Sequence, residues 1–221
     1  MTLGTDFGEM TIVLAVSVAL IAYLCGCFNG AVIVSKYILR DDVRNHGSGN
    51  AGLTNFHRTF GGPLTAVVIL CDVIKAVLAV WLGAWLFGMI RLSYGVLLGK
   101  YVAALFCLLG HMFPAMFHFK GGKGILSGGT IALMVDWRIA LVVWGGFFIL
   151  VALTRYVSLG SCWAGASFPF ATAFVFGNVW LTMLGTVCGA LVLWQHRSNI
   201  KRLLNGTENK FHFHKKTSEN G

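Results

Sequence analysis

Charged residues are scarce in this sequence of 221 residues. Only 11% are Asp, Glu, Lys or Arg and 57% are hydrophobic, whereas about 25% of a soluble domain is charged. A surface in water needs charged groups to stay solvated, so this composition excludes an ordinary soluble domain. Embedding in a bilayer is the simplest explanation. The 28 glycines agree with it, because close helix contacts in lipid favour small residues.

Patterns typical of metal and nucleic-acid binding are also missing. None of the six cysteines has CxxC spacing, so we predict no metal site. His212 and His214 near the C-terminus are too few for one. The net charge is +9, but no basic stripe alternates with exposed aromatic residues. We therefore predict no nucleic-acid partner and attribute the charge to the positive-inside bias or to an anionic ligand.

Long hydrophobic runs dominate what is present. A bilayer span needs about 20 apolar residues, and seven candidate segments occur: 11–39, 63–89, 94–117, 125–135, 139–153, 159–176 and 179–195. The fourth is short for a full span and is predicted to be half-buried in protein. We predict an all-α, polytopic membrane bundle of about seven transmembrane helices, forming one domain over residues 1–221. Residues 196–221 form a basic tail.

The distribution of basic residues predicts the orientation. With the acidic N-terminus outside, the outer connections carry only Arg91 and Arg138. The inner loops and tail then carry the other basic residues outside the spans: Arg40, Arg44, Arg58, Lys120, Lys123, Arg155, Arg197, Lys201, Arg202, Lys210, Lys215 and Lys216. This bias predicts a cytoplasmic C-terminus. The same assignment brings every Gly-, Asn- and His-rich loop to one side.

The first polar loop, residues 46–55, is suited to binding an anion. Its three glycines allow close approach of the backbone, and successive N–H groups can form an anion-binding nest. Ser48, Asn50 and Asn55 add uncharged polar groups, and Arg58 adds a planar donor that matches phosphate oxygens. The alternative is an ordinary polar connector.

A second loop begins after His111 and ends in the run Phe119-Lys120-Gly121-Gly122-Lys123-Gly124. Two lysines among glycines at the start of a helix resemble a phosphate loop in chemistry. The run is not a Walker A motif, because its glycine spacing differs and no strand precedes it. The alternative is that the lysines only anchor the loop on the inner side.

Weaker signals occur elsewhere. Ser161, in Ser158-Leu159-Gly160-Ser161, could be only a capping residue. His196, Asn199 and Arg202 share one helix face, which would also suit an interfacial helix on anionic lipid. Asp72 and Lys75, three residues apart in an apolar segment, favour a structural ion pair over a functional one.

Taken in order, these motifs resemble the bacterial acyl-phosphate:glycerol-3-phosphate acyltransferases. The matching elements, from about Gly26 to Lys210, are His46-Gly47-Ser48-Gly49-Asn50, Gly52, Thr54-Asn55, Arg58, Asp72 with Lys75, Gly110-His111-Met112-Phe113-Pro114, Phe119 to Gly124, Ser158 to Ser161, His196 to Ile200, Arg202, Gly206 and Glu208. Differences from the usual pattern include Cys27 and Asn29 in place of Ser and Pro, Leu53 in place of Ala and Ser127 in place of Thr.

The resemblance implies a reaction and its setting. A fatty acyl group would pass from a long-chain acyl phosphate to glycerol 3-phosphate, giving lysophosphatidic acid and phosphate in the first step of phospholipid synthesis. The active site would face the cytoplasm from the bacterial inner membrane, in contact with membrane lipid. No metal or coenzyme is implied. A cytosolic enzyme that forms the acyl phosphate is an implied partner.

The resemblance also implies site residues. Ser48, Asn50 and His196 are expected near the reacting groups. Substrate binding is expected from His111, Asn55, Arg58, Lys120, Gly121, Gly122, Lys123, Ser161 and Asn199. Of these, Arg58, Lys123, Ser161 and Asn199 would hold the glycerol phosphate group.

Three mechanisms remain open at this point. The substrate phosphate could accept the hydroxyl proton while His196 orients the reactants, His196 could itself be the base, or Ser48 could form an acyl intermediate. Direct transfer is preferred, because no acidic residue is placed in the sequence to orient a histidine beside Ser48. Two other classes are a small-anion transporter with broken helices and a non-catalytic paralogue that binds phosphate.

Overall fold

The computed structural model describes residues 3–90 and 92–211, with side chains from residue 8 onward. Arg91 and the tail residues His212, His214, Lys215 and Lys216 lie outside this range. The described residues contain no strand and form ten α-helices: α1 (Leu3–Cys27), α2 (Gly30–Ile33), α3 (Leu53–Thr59), α4 (Leu64–Gly88), α5 (Gly95–Met112), α6 (Ile125–Val135), α7 (Trp137–Thr154), α8 (Val157–Phe176), α9 (Val179–Gln195) and α10 (Arg197–Leu204). The all-α prediction is confirmed.

Each of the seven predicted segments contains an apolar helix, but the helices differ in length. Among the described residues, five stretches are long and apolar enough to cross a membrane: Gly8–Ile38, Leu64–Gly88, Gly95–Phe117, Trp137–Thr154 and Val157–Phe176. The pair α9 and α10, bent by 60°, gives a sixth if it is counted as one span. Helix α6 has 11 residues and is about 16 Å long. A total of seven spans, and their orientation, therefore remain predictions.

The short helix α6 ends against a cation from its neighbour α5. The last carbonyls of a helix have no partner within it. Lys100 donates hydrogen bonds from Nζ to the carbonyl oxygens of Met134 (2.7 Å) and Val135 (3.3 Å). The lysine thereby satisfies backbone groups at the end of α6 that apolar surroundings would leave unpaired.

The first predicted segment, residues 11–39, is interrupted rather than continuous. Helix α1 ends at Cys27, and Asn29 caps α2 by accepting a hydrogen bond on Oδ1 from the N–H of Val32 (3.1 Å). The amide of Asn29 also donates to the carbonyl oxygen of Ala51 (3.0 Å). Asn29, which stands where the family usually has Pro, thus both restarts the helix and holds the first polar loop.

Glycines allow the central helices to pack closely. Gly83 of α4 faces Gly99 of α5, and a Cβ atom on either would collide with the carbonyl oxygen of the other. A Cβ on Gly99 would also lie 2.7 Å from the Cβ of Phe87. Small residues are what permit such backbone approach between membrane helices.

Replacing Gly99 with valine should therefore separate α4 from α5 and destabilise the fold. We expect a loss of about 1–3 kcal/mol, which corresponds to a fall in the unfolding temperature of roughly 2–12 °C. Gly145→Val is the matched control, because nothing lies within 4 Å of a Cβ atom at Gly145. Thermal unfolding in one detergent measures both, and equal unfolding temperatures would reject this packing role.

The polar loops meet at one end of the bundle, as predicted. Arg44, just before the first loop, donates to the carbonyl oxygen of Phe117 in the second (2.8 Å). The N–H of Phe211, beyond α10, donates to the carbonyl oxygen of Arg155 between α7 and α8 (2.8 Å). Four segments far apart in sequence thus surround a common space.

Candidate active site

A cavity of about 530 Å³ opens where these loops meet. Nine of the twelve predicted site residues line it: Ser48, Asn50, Asn55, Arg58, His111, Lys123, Ser161, His196 and Asn199. They come from both polar loops and from α3, α5, α8 and α10, together with the α9–α10 junction. The structure therefore brings together residues that are as much as 151 positions apart.

The first loop is shaped from within by the buried side chain of Asn55. Its Oδ1 accepts a hydrogen bond from the N–H of Ser48 (3.0 Å), and its Nδ2 lies 3.0–3.1 Å from the carbonyl oxygens of Val43, His46 and Asn50. Because these backbone groups occupy the amide, Asn55 holds the loop in shape and has no spare donor for a ligand. This differs from the direct substrate contact expected from sequence.

Two polar side chains of this loop are left available. Ser48 is exposed and Asn50 half-buried on the cavity wall. Neither side chain makes a hydrogen bond to a residue in the described part of the chain. Gly47 (φ 57°) lies beside them in the left-handed region, and a Cβ atom there would strike Oδ1 of Asn55. A glycine is therefore required for the turn that presents Ser48.

Arg58 offers an unpaired guanidinium. It lies in the last turn of α3, is exposed and lines the cavity. Its side chain has neither a hydrogen bond nor an ion pair with any described residue. The helix that carries it is anchored by Phe56, which is fully buried and packs against Phe60 at 5.3 Å between ring centroids.

Lys123 and three tail residues that line the cavity form a connected network. The Nζ of Lys123 donates to Oδ1 of Asn199, and Nδ2 of Asn199 donates to Oε1 of Glu208 (2.7 Å). Arg202 donates from Nε to Oε2 of Glu208 (2.7 Å). Glu208, which our site prediction omitted, thus accepts from both Asn199 and Arg202 and links them.

The environment sets the charges of this network. Burial lowers the pKa of the Lys123 ammonium below its ordinary value, and the positive charge of Arg202 lowers it further. Burial raises the pKa of the Glu208 carboxyl, but hydrogen bonds from Asn199 and Arg202 outweigh this, so its pKa lies below the ordinary value. Glu208 is therefore a carboxylate at neutral pH, and it offsets part of the surrounding positive charge.

His196 lies at the break between α9 and α10, in a defined hydrogen-bonding state. Its Nδ1 lies 2.8 Å from the carbonyl oxygen of Val192. A carbonyl oxygen can only accept, so Nδ1 carries the proton. In the neutral ring, Nε2 then has a free lone pair. Ser161 also lines the cavity and donates to the carbonyl oxygen of Val157 (2.8 Å).

The remaining wall of the cavity is apolar and aromatic. Trp144, Phe147 and Phe148 of α7 line it, together with Ile69 and Leu126. Trp144 stacks on Phe148 at 5.3 Å between ring centroids and donates from Nε1 to the carbonyl oxygen of Gly129 (3.1 Å). One cavity thus joins a cationic region to a surface suited to a hydrocarbon chain.

Three predicted residues do not line the cavity. Lys120 is exposed, and neither it nor Gly121 or Gly122 is among the residues that line the cavity. A Cβ atom on Gly121 would lie 2.6 Å from Cδ of Pro114, and one on Gly122 would lie 2.7 Å from the carbonyl oxygen of Ala51. These glycines let the second loop pack against its neighbours, so they shape the site without forming its surface.

Comparisons with known proteins identify the family of the chain. The family model described as glycerol-3-phosphate acyltransferase matches residues 16–206. The glycerol-3-phosphate acyltransferase of Thermoanaerobacter pseudethanolicus is 39% identical over 196 residues, which are 89% of this chain and 95% of that protein. The enzyme of the same name from Clostridioides difficile is 39% identical over 193 residues, covering 87% and 93%.

Two crystal structures of PlsY, an integral membrane glycerol 3-phosphate acyltransferase, have the same fold. The glycerol 3-phosphate form has a TM-score of 0.77 and 33% identity, covering 90% of this chain and 96% of that one. The lysophosphatidic acid form has a TM-score of 0.75 and 32% identity, covering 90% and 95%. The chain therefore belongs to the glycerol-3-phosphate acyltransferase family and is a membrane-embedded acyltransferase.

Proposed function

We propose that this enzyme transfers a fatty acyl group from a long-chain acyl phosphate to glycerol 3-phosphate, releasing lysophosphatidic acid and inorganic phosphate. The reaction is the first step of phospholipid synthesis. The observation that carries the proposal is the continuity, within one cavity, of a cationic polar region and an aromatic wall. A substrate with a phosphate group and a hydrocarbon chain requires both. The two ligand forms of PlsY support the same acceptor and product.

The cationic region is assigned to the phosphate group of glycerol 3-phosphate. Arg58 brings an unpaired planar donor. Lys123 and Asn199 line the same cavity, and Ser161 joins them if its hydroxyl turns from the carbonyl oxygen of Val157 to the phosphate. Helix α6 begins at Ile125, two residues after Lys123, so its positive end adds to the attraction for an anion.

The chemistry assigned to the site is direct transfer. The hydroxyl oxygen of glycerol 3-phosphate attacks the acyl carbonyl carbon, a new ester C–O bond forms, and the bond to the phosphate breaks with its electron pair. The hydroxyl proton passes to the departing phosphate, or to the lone pair on Nε2 of His196. Ser48 and Asn50, whose side chains are unpaired, bind oxygens of the acyl phosphate as the negative charge moves.

A turnover assay separates this function from its rivals. Purified protein in detergent should release phosphate and form lysophosphatidic acid from palmitoyl phosphate and glycerol 3-phosphate. Palmitoyl-CoA, run in parallel, should give no product. A transporter or a non-catalytic paralogue would release no phosphate. Product from palmitoyl-CoA alone would reject the proposed donor, and acylated Ser48 trapped by mass spectrometry would reject direct transfer.

The site is proposed to face the cytoplasm of a bacterial cell, where a cytosolic enzyme supplies the acyl phosphate. Single cysteines introduced at Ser48 and Lys123, in a background whose six native cysteines are replaced, test this orientation. Both should resist a membrane-impermeant thiol reagent in intact spheroplasts and react in inverted vesicles. A cysteine at Arg138 is the control and should show the reverse. Labelling of Ser48→Cys and Lys123→Cys from opposite sides would contradict the proposed site.

A further inference from the structure

Three ionisable side chains meet at the wall of the cavity, and two of them line it. Asp72 and Lys75 lie on α4 and His111 on α5, and each is only 2–4% exposed. The predicted Asp72–Lys75 ion pair is present, with 2.7 Å between Oδ1 and Nζ. The pair is not isolated, because Nζ also lies 2.7 Å from Nδ1 of His111 and 3.0 Å from the carbonyl oxygen of Phe28.

The number of donors on Lys75 fixes the role of each partner. An ammonium group has three N–H donors and no acceptor. Its three neighbours are the Asp72 carboxylate, the Phe28 carbonyl oxygen and Nδ1 of His111, so each receives one hydrogen bond. Nδ1 of His111 lies 3.8 Å from Oδ1 of Asp72, which is too far for a hydrogen bond between them. Nδ1 is therefore an acceptor, and the proton of the neutral ring lies on Nε2.

The other edge of the His111 ring has no protein partner among the described residues. His111 is one of the lining residues, and its Nε2 has no hydrogen-bond partner in residues 3–90 or 92–211. Gly122 lies directly over this edge, and a Cβ atom on Gly122 would collide with Nε2. The absence of a side chain there leaves the N–H uncovered. Residue 122 must therefore be a glycine for two reasons: the contact with the Ala51 carbonyl oxygen and the closeness of Nε2 of His111.

We propose that Lys75, oriented by Asp72, holds His111 as the Nε2–H tautomer, and that this N–H donates to an oxygen of the acyl phosphate. The inference rests on the proposed reaction. His111 is then a catalytic residue, whereas Lys75 and Asp72 are positioning residues. His196 has the opposite arrangement, with its proton on Nδ1 and its lone pair on Nε2. One ring is set to donate toward the acyl donor and the other to accept from the attacking hydroxyl.

Ring-nitrogen NMR tests the tautomer without relying on turnover. With 15N-imidazole-labelled protein, His111 is assigned by the loss of its signals in His111→Gln. The wild type should show a protonated Nε2 and an unprotonated Nδ1. In Lys75→Met, the closest acceptor for Nδ1 becomes Asp72, so the proton should move to Nδ1. A protonated Nδ1 in the wild type, or an unchanged ring in Lys75→Met, would overturn the proposal.

Control variants separate this effect from loss of folding. Lys100→Met removes another partly buried lysine, at the far end of α5, and should lower stability without changing the His111 ring. If Lys75→Met does not fold, the double variant Asp72→Leu/Lys75→Met removes both charges of the pair together, which buried sites tolerate better than losing one partner. No side chain then donates to Nδ1, so part of the His111 population should carry its proton on Nδ1, and a ring that stays entirely in the Nε2–H form would overturn the proposal equally.

Kinetics supply the second readout. The amide nitrogen of glutamine can occupy the position of Nε2, whereas that of asparagine reaches only the position of Nδ1. We therefore expect His111→Gln to keep a kcat at least about 10-fold above that of His111→Asn, within the roughly 10²–10³-fold range that one oxyanion donor contributes. Equal kcat values would reject the donor role.

The two proposals fail in different ways. A wild-type protein that turns over substrate but carries the His111 proton on Nδ1 refutes this inference alone, whereas absence of wild-type turnover refutes the proposed function.

Discussion

Replacing Arg58 with alanine should lower kcat/KM for glycerol 3-phosphate by about 10²–10⁴-fold, chiefly through KM. Its guanidinium has no partner in the described structure, so no internal ion pair is broken and the loss falls on the substrate. Two charge-assisted hydrogen bonds to a phosphate, each contributing about 1.5–3 kcal/mol, account for a loss of that size. The measurement is the initial rate of phosphate release as glycerol 3-phosphate is varied at fixed palmitoyl phosphate.

Two variants make this prediction specific. Arg58→Lys keeps the charge but loses the planar pair of donors, so its kcat/KM should lie between those of the wild type and Arg58→Ala. Arg138→Ala removes an exposed arginine that pairs with Asp136 beyond the far end of α6, and it should leave KM unchanged. Wild-type rates for Arg58→Ala at limiting glycerol 3-phosphate would remove Arg58 from the site.

Replacing Glu208 with glutamine should lower both activity and stability, although the side chain keeps its shape. The two carboxylate oxygens accept separately, one from Asn199 and one from Arg202. Glutamine has one oxygen and one NH₂ group, so whichever way it turns, a donor must face a donor. The mismatch costs about 1–3 kcal/mol, and we expect kcat/KM to fall about 10–100-fold as Asn199 and Lys123 lose their alignment.

The control for this prediction is Glu9→Gln, which neutralises an exposed glutamate on α1. It should leave both the unfolding temperature and the kinetics unchanged. The readouts for Glu208→Gln are thermal unfolding and the KM for glycerol 3-phosphate, measured in the same detergent. A variant with wild-type values of both would show that the tail does not support the phosphate site.

Some of this architecture could be predicted from local patterns alone. Long apolar runs determine where helices lie, and the short run at residues 125–135 correctly indicated a helix of reduced length. The spacing of Asp72 and Lys75 was enough to predict their ion pair, because three residues along a helix bring two side chains to the same face. Loop composition also identified several polar residues of the cavity lining, among them Ser48, Arg58 and Lys123.

Other features depend on contacts between distant segments, which a single sequence does not specify. The partnership of Lys75 with His111 spans two helices. Lys120 and Lys123 look equivalent in the sequence, and only packing turns the first toward solvent and the second toward Asn199. Trp144 and Phe148 lie in an apolar helix. Apolar residues that line a cavity are of the same types as those that contact lipid, so the sequence does not distinguish them. Asn29 differs from the usual residue of the family, but its hydrogen bond to Ala51 could not be predicted, because it depends on how the first loop folds.

The cation at the end of α6 has an electrical consequence for the phosphate site. A helix carries about half a positive charge at its first turn and half a negative charge at its last. Lys100 neutralises the negative pole, because its ammonium lies on the carbonyl oxygens of Met134 and Val135. The electrostatic potential at a bound phosphate is then closer to that of a single positive charge at the start of α6. It decays more slowly with distance than the potential of a helix whose negative pole is not neutralised.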